Sequence, residues 1–270
     1  MSHNPAVLLV LLLLPAVSLA EVSSFRYCPQ FFAGGAPPTI LKDPGDSNRY
    51  EQICQCLLDQ NERPEYFYAT LYDTRNKIPV YSAYEFRRAE VERDDRWYVE
   101  PQLDGGTSEC MGGLNKIPTA NRGLRQALNK DYEGSGYDKG HLFPVYHTHT
   151  VNTMLATSTL TNAAPQDSSF NRGQWKSYEN NVATLLQNQC DESYIVTGVV
   201  PGNQQIGDGV RVAQYYWSAY CCFGGGSAPQ SAGYIGPDNN GRVQEVSVKQ
   251  LESILSDMYS SDFSIFQGTC

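Results

Sequence analysis

Histidine is scarce in this chain, with four in 270 residues, and C-x-x-C pairs, N-x-S/T sequons and internal repeats are missing altogether. Without C-x-x-C spacing the cysteines make a poor four-cysteine zinc site, without sequons no N-linked glycan is expected, and without repeats a solenoid or propeller is excluded. Basic residues are also outnumbered, 20 Lys and Arg against 29 Asp and Glu, for a formal net charge of −9. That balance argues against a polyanionic partner, whose binding rests on cations that neutralise phosphates. Beyond residue 20 no apolar run approaches the ~20 residues of a membrane span.

What is present begins with a leader. Residues 1–20, MSHNPAVLLVLLLLPAVSLA, hold no Asp, Glu, Lys or Arg, run apolar from Ala6 to Leu14, and close on Ser18-Leu19-Ala20. Small residues at the minus-three and minus-one places predict a secretory signal peptide, although the usual Lys or Arg at its start is absent. The mature chain, 21–270, is then secreted and soluble, and long enough for one domain with a sizeable core. All eight cysteines (Cys28, Cys54, Cys56, Cys110, Cys190, Cys221, Cys222 and Cys270) lie beyond the leader, and an even number in an oxidising compartment predicts disulfides. Cys54 and Cys56, like the adjacent Cys221 and Cys222, are poorly placed to pair within themselves, so each is expected to reach a distant segment.

Periodicity gives a coarse α+β reading. EYFYATLYDT and IPVYSAYEF around RNK predict a hairpin. Residues 100–136 read as a long loop with one short helix near NRGLRQALNK. Short strands are predicted at about Gly140 to Pro144 and near MLATSTL, then a helix from about Phe170 to Leu186, with Trp175, Tyr178, Val182, Leu185 and Leu186 at helical spacing. SYIVTGVV and RVAQYYWSAYCCF predict two more strands. A last helix, about Gln244 to Tyr259, places Val248, Leu251, Leu255 and Met258 on one face.

Three of the four histidines, His141, His147 and His149, fall within GSGYDKGHLFPVYHTHT, residues 134–150. The surrounding stretch 110–180 holds seven basic residues against five acidic, net +2, which leaves −11 for the remainder. Hydrolysis of a phosphodiester needs a base for water, positive charge for the phosphate, and a loosely held cation. His141 suits the base, being substantially neutral at pH 7 with an ordinary imidazole near ~6.5, and Asp138 lies three residues before it. Asn171 offers a neutral amide oxygen, which leaves most of a magnesium octahedron to water and phosphate. Glu179, eight residues on, would stand ~12 Å along and ~80° round a regular helix, too far to share the ion directly. His147-x-His149 on an extended strand would point to one side and could bind zinc, but no third ligand is at suitable spacing, so both read as bystanders.

GSGYDKGH, followed by STLTNAAPQDSSFNRGQWKSYEN, resembles the DNA/RNA non-specific endonucleases related to endonuclease G and the secreted bacterial nucleases. Their marks are a DRGH-type box and a downstream N-x-x-P-Q...N-Q-x-x-W...E run. The leader and cysteines are most similar to the secreted vertebrate branch. The resemblance is specific over 134–180 and looser over about 60–260. It implies a ββα-metal fold, a mainly antiparallel sheet flanked by helices and stabilised by disulfides, one Mg2+ (or Mn2+) ion, and cleavage of phosphodiesters of DNA and/or RNA without strict sequence preference. By position it makes His141 the general base, Asn171 the metal ligand, Glu179 an outer support of the ion's water, and Asn162 a polar aid in the site, with Asp138 orienting the box. Two places depart from the pattern: the usual arginine is Lys139, which loses the bidentate fork toward phosphate, and the usual glutamine after the metal asparagine is Arg172. Asn162 and Asn171 also suit turns and helix caps, and Trp175 suits the core. The alternative reading is a nuclease fold that has lost catalysis and serves as an extracellular binding protein.

Overall fold

The computed structural model describes residues 22–39, 48–224 and 228–270; the leader lies outside the described residues. Aromatic and β-branched segments build a seven-stranded sheet. Its order is β1 (Tyr50–Leu58), β2 (Pro64–Asp73), β3 (Ile78–Glu85), β6 (Glu192–Ile206), β7 (Val210–Phe223), β8 (Gln230–Pro237) and β9 (Gln244–Val246), every neighbouring pair antiparallel. A separate ribbon pairs β4 (Tyr137–His141) with β5 (Ala163–Asp167). The helices are α1 (Asn129–Tyr132), α2 (Val151–Thr157), α3 (Ser168–Phe170), α4 (Lys176–Gln189) and α5 (Val248–Tyr259).

Alternation along β7 divides the interior in two, as the two-residue strand period demands. Tyr216, Tyr220 and Cys222 enter one core, with Ala156 of α2 and Tyr178, Val182 and Leu186 of α4. Trp217, Ala219 and Cys221 enter the other, with Phe25 and Phe32 and with Val248, Leu251 and Leu255 of α5. The expected α+β fold is thus present, a mainly antiparallel sheet covered by helices on both faces.

Four disulfides join Cys28 to Cys54, Cys56 to Cys110, Cys190 to Cys222 and Cys221 to Cys270, and no cysteine is free. Neither near pair bonds within itself, as the spacing implied. The adjacent Cys221 and Cys222 face opposite cores, so one point on β7 is tied both to the end of α4 and to the chain's last residue.

The β2–β3 hairpin and the two long strands lie where periodicity put them. MLATSTL does not form a strand. The Thr150 side chain accepts from Thr153 N and starts α2 there, burying Thr153, Met154, Ala156 and Thr157; the partner of β4 comes instead from 163–167. Residues 244–246 pair as β9, and the last helix begins after Ser247, whose capping box with Gln250 fixes the start. Met258 is 38% exposed, while the next residue, Tyr259, turns inward to donate to Val199 O at 2.5 Å. Strands β1 and β8 were not anticipated; β1 carries a fully buried glutamine, Gln55, which donates to Thr161 Oγ1 at 3.0 Å. Among the described residues no helix is long and apolar enough to cross a membrane.

Replacing Cys190 and Cys222 with alanine opens a loop of 32 residues and is expected to lower the free energy of unfolding by about 3 kcal/mol, read from the urea midpoint. An unchanged midpoint would show that this bridge holds nothing.

Candidate active site

The ribbon and the helix after it assemble the site. β4 runs antiparallel to β5 with His141 opposite Ala163 and Asp138 opposite Gln166. It is pressed hard onto the sheet at Gly140, where a Cβ would fall 2.3 Å from Gln166 Oε1 and 2.7 Å from Tyr216 Oη. Only glycine permits that approach, so the residue before His141 fixes how deep the imidazole sits. β5 then leads directly into α3, with the Asp167 carboxylate accepting from Ser169 N at 2.9 Å and Phe170 N at 3.0 Å. This is a ββα unit.

Between α3 and α4 the helix passes through a π turn, Asn171–Trp175. The turn takes in one extra residue, so the eight steps from Asn171 to Glu179 act as about seven. Their angular offset shrinks from ~80° to ~20°. Both side chains line one cavity of about 650 Å³, together with Asp138, Lys139, His141 and Arg172. The ~80° offset expected of a regular helix is thereby reduced, with the separation along the axis kept.

Asp138 is the hub. Its carboxylate accepts from Ser168 Oγ at 3.1 Å, Asn171 Nδ2 at 2.9 Å, Arg172 Nε at 2.9 Å and Arg172 Nη2 at 2.7 Å. Burial pushes its pKa up, but Arg172, Asn171 and Ser168 outweigh burial and hold it below the usual value. Because Asn171 gives its NH2 to Asp138, its Oδ1 is left as the free end of the amide, the end a hard cation takes. Arg172, where the family motif has glutamine, serves here as the bidentate clamp on Asp138.

His141 lies under the Trp97 ring, centroids 4.9 Å apart, and its Nε2 is shielded with no hydrogen-bond partner among the described residues. Burial, with Arg93 and Lys139 adding to it, depresses its pKa to about 3. The ring is therefore neutral, in the proton-accepting form, well below the pH at which an ordinary imidazole charges. A phosphate entering the cavity would raise its basicity by opposing those cations. Lys139 Nζ sits 4.6 Å from the Trp97 centroid and donates to Asn129 Oδ1 at 2.7 Å, so its ammonium is held against the indole. Burial lowers the Lys139 pKa. Burial also raises Glu179 to about 8, against the nearby Lys176.

Asn162 is not in the cavity. It is fully buried, accepting at Oδ1 from Ser82 Oγ and Phe143 N and donating at Nδ2 to Phe143 O and Thr157 O. Two of these four bonds hold Phe143, just after His141, and the other two tie it to Ser82 on β3 and to Thr157, so the amide acts as a brace. His147 stands outside the catalytic group, in a structural place. It is buried, with Nε2 3.0 Å from the backbone oxygen of Glu179 and Nδ1 2.9 Å from Tyr84 Oη. A carbonyl only accepts, so Nε2 carries the proton and Nδ1 accepts from tyrosine. With both nitrogens engaged, His147 cannot join His149, which is exposed, in a metal pair. Among the described residues no group of three or more His, Cys, Asp or Glu is placed to hold a metal.

Arg93, Trp97, Tyr146 and Lys176 also line the cavity. Sequence reading gave none of them a role. In the segment FRRAEVERDDRW, Trp97 packs against His141 and Lys139 of the ribbon, whereas Arg93 stays 61% exposed at the rim and pairs with Asp95 at 3.0 Å. The cavity holds four cations, Arg93, Lys139, Arg172 and Lys176, against two carboxylates, Asp138 and Glu179.

The sequence model of DNA/RNA non-specific endonucleases matches residues 45–268. This chain belongs to the DNA/RNA non-specific endonuclease family. Among relatives in that family, the human Endonuclease domain-containing 1 protein is 35% identical over 261 residues, covering 93% of this chain and 49% of that protein. The mitochondrial Endonuclease G of Bos taurus is 32% identical over 205 residues, covering 75% of this chain and 60% of that protein. The chain thus spans about half the length of the curated relatives it matches over most of its own length. The solved EndoG of an EndoG/EndoGI complex shares the fold, with a TM-score of 0.54 at 22% identity over 76% of this chain and 84% of that one.

Replacing His147 with alanine removes two buried hydrogen bonds, to Tyr84 Oη and Glu179 O, and is expected to cost about 2 kcal/mol, against about 0.5 or less for His149→Ala. Burial holds His147 at about 4. Between that value and ~6.5 the unfolded chain binds more protons, so His147's contribution is complete above ~6.5 and is lost as pH falls toward 4. Urea midpoints against pH should slope less steeply in His147→Ala; parallel slopes would contradict the assignment.

Proposed function

We propose that this chain is a secreted, divalent-metal-dependent, sugar-non-specific endonuclease that hydrolyses phosphodiester bonds of DNA and RNA. Residues 1–20 are its signal peptide and 21–270 its single nuclease domain. The observation that carries this reading is the convergence, in one cation-rich cavity, of a neutral imidazole with an unpartnered nitrogen and an amide whose NH2 end is fixed by a carboxylate.

His141 accepts the proton of the attacking water. Asn171 would hold the ion through Oδ1, and Glu179, on the same face, would support its hydration shell. Mg2+ or Mn2+, when bound, supplies positive charge against the phosphate and the departing oxygen. Single-oxygen ligation suits Mg2+, which keeps most of its waters. Arg93 and Lys176 attract the phosphate, Lys139 backs the indole over His141, and Arg172 acts through Asp138.

Nicking of supercoiled plasmid should require Mg2+ or Mn2+ and cease in chelator. His141→Ala should fall by about 10²- to 10⁴-fold, whereas Glu179→Gln should lose about 10- to 100-fold and recover part of that at higher metal concentration. With limiting metal the rate should fall as pH drops below about 8, where Glu179 takes up its proton, and saturating metal should move that limb to lower pH because cation and proton compete. A limb near 6.5, independent of metal and lost in His141→Ala, would contradict the depressed imidazole.

A further inference from the structure

Two cations of the basic stretch 110–180, Lys116 and Arg122, take no part in the catalytic cavity. They line a second cavity of about 400 Å³ with Gly105, Gly106, Thr107 and Thr119, and no carboxylate is among its walls. Lys116 is exposed and makes no ion pair among the described residues. Arg122 is half-buried, with Nε donating to Ile117 O at 3.2 Å, which holds the guanidinium in place and leaves its terminal nitrogens free to donate. A Cβ on Gly106 would fall 2.5 Å from Lys116 O and 2.7 Å from Pro101 Cβ, so the two arms of the loop close on each other and fix the cavity's shape. One cation held in place and a second beside it, without a counter-charge among the described residues of a chain of net charge −9, make a site for an anion.

Its position indicates which anion. Ile117 packs into the same core as α4, so this cavity and the catalytic one lie on the same side of the sheet. Trp97 lines the catalytic cavity, and Pro101, which abuts Gly106, is only four residues further on. Four residues reach at most ~14 Å, which puts the cavity wall within ~20 Å of Trp97. At ~3.4 Å per base pair that is about six base pairs of duplex.

We propose that the Lys116–Arg122 cavity is a second grip on the phosphate backbone of the nucleic acid whose scissile bond lies at His141, about six base pairs or fewer from the cut. The proposal rests on the nuclease reading. The grip adds affinity for long substrates without touching the chemical step.

The test is the Lys116→Ala/Arg122→Ala variant of the full chain. Its Kd for a labelled 20-base-pair duplex is measured in chelator, where nothing is cut, between 50 and 200 mM salt. Each phosphate contact contributes about 0.9 to the slope of log K against log salt, so the slope should flatten by about 1.8. KM should rise for the 20-base-pair duplex, while kcat and the KM of a four-nucleotide single strand, too short to bridge the cavities, stay at parent values. Lys116→Arg/Arg122→Lys should keep the parent slope. If loss of Arg122 unfolds the loop, Lys116→Ala alone should still flatten the slope by about 0.9. An unchanged slope in a protein that cleaves plasmid overturns the second grip and leaves the nuclease reading standing; a parent that neither binds nor cleaves nucleic acid overturns both. Equal loss on long and short substrates, or a defect seen with polyglutamate and not with duplex, also overturns it.

Discussion

The Asp138 carboxylate joins the strand that carries His141 to the helix that carries Asn171, accepting from Ser168, Asn171 and Arg172 at once. A strand and a helix in van der Waals contact can slide by an ångström at little cost. Four hydrogen bonds to one partly buried carboxylate cannot be kept through such a slide. The same contacts decide which end of the Asn171 amide is free, and so whether the residue offers a cation an oxygen or an NH2 group. Arg172 supplies two of the four bonds, which gives a local reason for arginine at that place.

A second line of support runs behind the helix. His147 ties the backbone of Glu179 to Tyr84 on β3, and Asn162 ties the chain after His141 to Ser82 on the same strand. Base and helix are thus referred to neighbouring residues of one strand. At the far end, Cys190–Cys222 fixes the end of α4 to β7. The cavity's groups are held by buried polar bonds to the sheet, and the acidic surface elsewhere has little bearing on the cation excess within it. That is how a chain of net charge −9 can line one cavity with four cations against two carboxylates.

Much of this was legible in the sequence because it is local. DKGH, the asparagine at 171, the alternation of the long strands and the separation of near cysteines are properties of short windows; the strands and the disulfides are as those windows imply, and DKGH and Asn171 line one cavity. What was not legible depends on distant partners. The π turn has no strong composition of its own, and it reduces the angle between Glu179 and Asn171, which line one cavity. Which groups His147 would hold was not readable, because its partners are 63 and 32 residues away. Asn162 looked like a site residue because a buried amide and a catalytic amide have the same sequence signature. MLATSTL misled because its apolar residues fit both periods, and a threonine cap just upstream decided for helix.

The account stands on Asn171 offering its oxygen because Asp138 holds its nitrogen, and Mn2+ binding read by electron paramagnetic resonance tests this without any turnover. The parent should bind one ion in the cavity. Asn171→Ala should lose it, and Asp138→Ala, with the ligand present but unheld, should bind about 10- to 100-fold more weakly. Parent-like affinity in Asn171→Ala would place the cation elsewhere and contradict the account.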